Sequence, residues 1–95
     1  MKRPAVYILT NKPNGTLYAG VTSDLIKLVF EHKNGKVPGF SKNYGCKRLV
    51  YFEMHESMEN EIVREKQIKS GSRKKKITLI ENVNPRWNDL YGNIL

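Results

Sequence analysis

Val6–Thr10 is rich in β-branched and aromatic residues and reads as a strand. Asn11-Lys12-Pro13-Asn14-Gly15 has turn chemistry, and its Asn-Gly pair is a strong hairpin signal. Thr16–Gly20 then reads as the return strand. A helical period follows from about Asp24 to Lys33, with Thr22 or Ser23 able to cap it and Asn34-Gly35 placed to stop it. Lys36–Gly45, carrying Pro38, Gly39, Ser41 and Tyr44, reads as a polar loop. Arg48–Met54 alternates again as a third strand, Leu49, Tyr51 and Glu53 against Val50, Phe52 and Met54. Ser57 can cap a second helix running to about Lys69. Ser70-Gly71-Ser72 breaks it, and Ser72 opens a third helix from about Arg73 to Glu81. Asn84-Pro85 starts a short final turn, with proline at a first helical position.

The order is ββα, then βαα and a tail. Three strands, two of them joined as an antiparallel hairpin, must bury a face under helices, which predicts a small α+β sandwich. A chain of 95 residues has room for one modest core. The expectation is therefore a single domain over residues 1–95, with its core at about 4–91. Apolar residues make up 39% and charged residues 27%, the balance of a folded soluble chain. No apolar run approaches the roughly 18 residues of a membrane span. The single cysteine, Cys46, excludes an internal disulfide and a Cys-rich zinc site, and a reducing, cytoplasmic setting is expected.

Charge changes the picture. Lys plus Arg number 17 against 9 acids, a net charge of +8, which favours a polyanionic partner. Nucleic acid is the first choice and an acidic membrane surface the weaker one. Seven basic residues, Arg64, Lys66, Lys69 and Arg73-Lys74-Lys75-Lys76, fall in one stretch that holds a single acid, Glu65. Arg73–Lys76 crowd a helix N-terminus, where the dipole favours negative charge, so a bound phosphate suits them as well as solvent does.

Candidate chemistry is sparser. On the first helix Leu25, Leu28, Val29 and His32 share a stripe, and Ile26 and Phe30 widen it. This predicts a helix set well into the core, with His32 either a hydrogen-bonded edge residue or a proton-transfer group. On the second, Met58, Ile62 and Lys69 align, with Ile68 flanking and Glu65 in the middle of the apolar face. A carboxylate there needs either a basic partner or a hard divalent cation. Tyr7 and Tyr18 stand on opposite sides of the Asn-Gly turn. They are packing residues, or phenols acting on a proton or a phosphate.

Together these residues resemble the GIY-YIG nuclease superfamily. Ala5-Val6-Tyr7 stands at the first signature tripeptide and Tyr18-Ala19-Gly20 at the second, with the tyrosines 11 positions apart. Val21-Thr22-Ser23-Asp24-Leu25, Glu31-His32-Lys33-Asn34-Gly35 and Leu49-Val50-Tyr51 resemble the small bacterial members. So do Arg64–Lys69, Ser72–Lys76 and Asn84-Pro85-Arg86-Trp87. The resemblance implies a three-stranded antiparallel sheet flanked by helices and metal-dependent hydrolysis of DNA phosphodiesters. By position, Tyr7 and Tyr18 line the scissile phosphate, one of them helping to activate water, and His32 supports proton transfer. Glu65 holds one Mg²⁺ or Mn²⁺, and Arg64, Lys69 and Arg73–Lys76 contact DNA. Asn84 matches a polar residue near the site and equally suits a helix N-cap.

One position departs from the pattern. The family's catalytic arginine lies ten residues after the second tyrosine, where this chain has Leu28. Leucine cannot donate to a phosphate, and losing one such donor costs roughly 10²–10³ in rate. Lys27 is adjacent, but one helical residue is a rotation of about 100°, so only its flexible stem can bring it round. The sequence therefore supports a weakened endonuclease, a catalytically silent nucleic-acid-binding module on the same fold, or a protein-interaction module using the apolar first helix.

Overall fold

The computed structural model describes residues 3–36 and 39–95, with Phe40 and Ser41 described by backbone alone. Met1, Lys2, Val37 and Pro38, and with them part of the loop read at Lys36–Gly45, lie outside the described residues. The elements are β1 (Ala5–Thr10), β2 (Leu17–Thr22), α1 (Leu25–Lys33), α2 (Phe40–Asn43), β3 (Arg48–Met54), α3 (Met58–Ser70), α4 (Arg73–Val83) and α5 (Tyr91–Ile94). The sheet order is β2-β1-β3, antiparallel throughout. The short α2 replaces the end of the expected loop.

β1 is buried at every position. Its run Ala5-Val6-Tyr7-Ile8-Leu9-Thr10 hardly alternates because helices cover both faces of the central strand. Val6 and Ile8 face one core with Ile68 of α3, Ile80 of α4 and Trp87. Ala5, Tyr7 and Leu9 face a second core with Leu25 and Val29 of α1 and, at its edge, residues of α5.

β3 departs from simple alternation. The register pairs Ile8 with Tyr51 but Leu9 with Leu49, so Val50 is the extra residue of a bulge. Val50 and Tyr51 therefore share the face of Ile8, while Leu49 packs on the other. This splits the expected Leu49-Tyr51-Glu53 grouping.

The caps refine the helix limits. Asp24, not Thr22 or Ser23, caps α1 by accepting from the Lys27 N–H at 3.2 Å, while Thr22 Oγ1 accepts from the Asp24 N–H at 3.0 Å. Ser57 and Ser72 cap α3 and α4 as expected. Asn84 both ends α4 and opens the expected turn, its carbonyl accepting from the Trp87 N–H at 3.0 Å. Its buried amide donates to Val50 O at 3.1 Å and Asn88 O at 2.8 Å, and its Oδ1 accepts from the Asn88 N–H at 3.0 Å. It ties the tail to β3.

At the hairpin, Asn14 takes the left-handed conformation (φ 57°). Gly15 is required for space, since a Cβ there would stand 2.0 Å from Asn11 Oδ1. That oxygen accepts from the Thr16 N–H at 2.9 Å.

Candidate active site

The register of β1 on β2 sets Tyr7 opposite Gly20 and Tyr18 opposite Leu9. Tyr7 and Tyr18 are thus diagonal neighbours on one face, within reach of each other. Gly20 makes the arrangement possible. A Cβ at that position would lie 2.4 Å from the Tyr7 hydroxyl, so the phenol crosses β2 where any other side chain would block it. The Tyr7 and Tyr18 rings are 6.4 Å apart, centre to centre, and their side chains are hydrogen-bonded.

His32 completes the cluster from the last turn of α1. Its ring centre lies 5.8 Å from Tyr18 and 6.4 Å from Tyr7, and the residue is buried. Burial lowers its pKa below the ordinary histidine value, with Glu31 pulling weakly the other way. The Tyr7 pKa is raised, first by burial, then by the charges of Tyr18 and Glu65 and the hydrogen bond to Tyr18. Glu65 therefore brings its charge to the Tyr7 phenol. Its half-buried side chain is ion-paired with Lys69 at 3.2 Å.

α3 turns a different face to the sheet than its apolar pattern suggests. Met58 and Ile62 are 46% and 43% exposed, and the buried residues are Glu61 and Ile68. Arg64 and Glu65 flank that line. On α1 the stripe of Leu25, Val29 and His32 is buried as expected, but Ile26 and Phe30 face solvent. Leu28 is half-buried against the core of Tyr7, Leu25 and Val29.

The basic residues separate into two groups. Arg64 is committed to Glu53. Arg73 donates to Asn14 O and Gly15 O, each at 2.7 Å, clamping the hairpin turn to α4. Lys76 donates to Lys69 O at 3.5 Å and Gly71 O at 3.3 Å. Lys27, Lys74 and Lys75 are exposed, and Lys74 and Lys75, together with Arg64 and Lys76, line a groove of about 570 Å³ between α3 and α4 that also holds Ile68 and Leu79. None of Tyr7, Tyr18, His32 and Glu65 lines that groove. Asn84 lies beside β3, the opposite edge of the sheet from β2. Sequence reasoning passed over Glu61, which reads as one more polar helix residue. Its only signals are its spacings, four residues before Glu65 and seven before Ile68.

A family-level profile described as the GIY-YIG catalytic domain matches residues 3–78, spanning both tyrosines, His32 and Glu65. The chain belongs to the GIY-YIG family. A UPF0213 protein of Staphylococcus saprophyticus is 36% identical over 80 residues, covering 84% of this GIY-YIG chain and 96% of that protein. A UPF0213 protein of Clostridium perfringens is 38% identical over 77 residues, 81% of this chain and 82% of the relative. The solution NMR structure of a UPF0213 protein from Bacillus halodurans superposes with a TM-score of 0.52 at 32% identity, covering 83% of each chain. These matches identify a nuclease-type domain and agree with the three-stranded α+β architecture. No helix among the described residues is long and apolar enough to cross a membrane.

Proposed function

We propose that this GIY-YIG domain hydrolyses DNA phosphodiesters with one divalent ion, Mg²⁺ or Mn²⁺, at a rate lowered by Leu28. The supporting observation is the gathering of Tyr7, Tyr18, His32 and Glu65 at one edge of the sheet. Among the described residues no three His, Cys, Asp or Glu side chains come together to hold a metal. A single carboxylate supplemented by water and phosphate oxygens still suits a hard cation, and Glu65 supplies it. When bound, the ion stabilises the charge that develops on the leaving oxygen.

The protein groups divide the remaining work by protonation state. Burial and nearby negative charge keep Tyr7 a phenol at neutral pH, so it serves as a hydrogen-bond donor to phosphate or water. His32, with its lowered pKa, is a neutral imidazole able to accept a proton, directly or through the Tyr18 hydroxyl. Leu28 leaves the phosphate without the donor that an arginine supplies. Exposed Lys74 and Lys75, in the groove between α3 and α4, offer sequence-independent phosphate contacts.

A plasmid-nicking assay tests the reading. Slow cutting in Mg²⁺ or Mn²⁺ is expected, abolished by EDTA and by Glu65→Gln. DNA binding without cutting in either metal would instead support a silent nucleic-acid-binding module, the reading that Leu28 favours.

A further inference from the structure

Glu61 is fully buried, and among the described residues neither carboxyl oxygen completes a well-formed hydrogen bond, the backbone N–H groups of Thr22 and Ala5 reaching it only weakly. Burial raises its pKa most, and the Glu65 charge adds to this. The His55 charge and the backbone N–H groups of Thr22 and Ala5 pull in the opposite direction. A carboxyl held by such weak contacts alone is an unfavourable occupant of a helix face packed on a sheet.

Its position explains what it can serve. Ala5 pairs with Thr22, and two residues further along the ladder Tyr7 pairs with Gly20. Two strand residues advance about 6.6 Å, and the four helical residues from Glu61 to Glu65 advance about 6 Å. α3 therefore tracks the β1–β2 pair, with Glu61 beside Ala5 and Thr22 and Glu65 beside Tyr7. The charge of Glu65 is felt by Glu61 and by Tyr7 alike.

We propose that Glu61 and Glu65 together form a two-carboxylate site for a divalent cation, Glu61 as the inner ligand and Glu65 as the outer. This rests on the reading of Glu65 as the residue that holds the ion. Two carboxylates one turn apart repel when both are ionised, and a divalent cation between them turns that repulsion into shared coordination. It also gives the Glu61 oxygens a stronger partner than the weakly placed backbone N–H groups of Thr22 and Ala5. The ion reaches them past Glu65, whose side chain is 19% exposed, and displaces the ammonium of Lys69, which is 52% exposed and weakly held. Coordination sites remain for water and a phosphate oxygen.

Calorimetric Mn²⁺ titration of the wild type, Glu61→Gln, Glu61→Met and Glu65→Gln tests this. Each Glu61 variant should weaken Mn²⁺ binding by roughly tenfold or more. Mn²⁺ should raise the melting temperature of the wild type but not of the Glu61 variants. In EDTA, Glu61→Met should melt no lower than wild type. A folded Glu61 variant that binds Mn²⁺ like wild type, while Glu65→Gln is weakened, overturns the role of Glu61 and leaves Glu65 as sole ligand. Unchanged binding in every variant overturns both readings. In the unmodified protein, Mg²⁺ should move the side-chain carboxyl ¹³C signals of Glu61 and Glu65 together; movement at Glu65 alone also overturns the proposal.

Discussion

Arg64 grips Glu53 with two nitrogens, Nε lying 2.9 Å from Oε1 and 3.0 Å from Oε2, and Nη2 lying 2.9 Å from Oε2. The pair fastens α3 to β3, and the Tyr51 hydroxyl and His55 ring join the same carboxylate. The Tyr51 pKa is pushed up to about 12, first by burial and then by its hydrogen bond to Glu53. Burial alone would raise the Glu53 pKa, but the hydrogen bonds from Arg64 and Tyr51 outweigh it and hold the carboxyl below its ordinary value.

Arg64→Ala should therefore cost stability, roughly 1.5–3 kcal/mol for a charged hydrogen-bonded pair. A depressed carboxyl pKa contributes stability that is complete above the unfolded-state value of about 4.3 and is lost as pH falls through the folded value. Urea melts from pH 3 to 7 should show the variant losing its disadvantage toward acid. DNA affinity should stay near wild type. A variant as stable as wild type but weak on DNA would return Arg64 to the nucleic-acid interface.

Gly20→Ala should disturb the site directly. The added methyl meets the Tyr7 hydroxyl at 2.4 Å and ring carbon Cζ at 2.7 Å, so the phenol must move. Overpacking of this kind costs about 1–3 kcal/mol. Gly92→Ala is the control, because a Cβ there meets nothing within 4 Å. Thermal melts and the Tyr7 ring signals should change for the first variant only. Unperturbed Tyr7 signals in Gly20→Ala would mean that the phenol is not held across β2.

The basic run should divide between binding and scaffold. Lys74→Ala with Lys75→Ala should weaken duplex binding and flatten the log-affinity versus log-salt slope by about 0.9 for each phosphate no longer neutralised. Arg73→Ala should mainly loosen the hairpin, because its guanidinium holds the Asn14 and Gly15 carbonyls. Salt-dependent binding beside hydrogen exchange at the turn separates the two. An unchanged slope in the double variant would leave Lys74 and Lys75 as solvated surface.

Much of this was readable in residue pattern. The three strands, the helices and the caps Ser57 and Ser72 follow from local propensity, and the spacing of Tyr7 from Tyr18 follows from the hairpin. What was hidden depends on contacts between distant segments. The Val50 bulge reverses the expected partners along β3 without any marker residue. The buried face of α3 is set by how it lies on β1 and β2, so Glu61 goes inside while Met58 and Ile62 stay out. Arg64 and Arg73 read as nucleic-acid contacts from their charge, which does not show the distant Glu53 carboxylate and Asn14 carbonyl that they also engage. Asn84 likewise reads as an N-cap until Val50 O and Asn88 appear beside it.

Leu28→Arg is the sharpest test of the proposed chemistry. Leu28 lies one helical turn before His32 and is half-buried against the core of Tyr7, Leu25 and Val29. A residue at such a rim can keep an arginine stem packed while the guanidinium extends to the phosphate. The expected cost in stability is the ordinary one for a single change, about 0.5–3 kcal/mol. The expected gain in single-turnover nicking is on the order of 10²-fold, the lower end of what one preorganised donor contributes. Combining Leu28→Arg with Glu65→Gln should abolish the gain, because the added cation stabilises a transition state that still needs the ion. A folded Leu28→Arg protein that binds DNA and Mn²⁺ yet cuts no faster would show that the missing arginine is not the main defect. The silent binding module would then describe the chain better, with the tyrosine and histidine cluster kept for packing across β2.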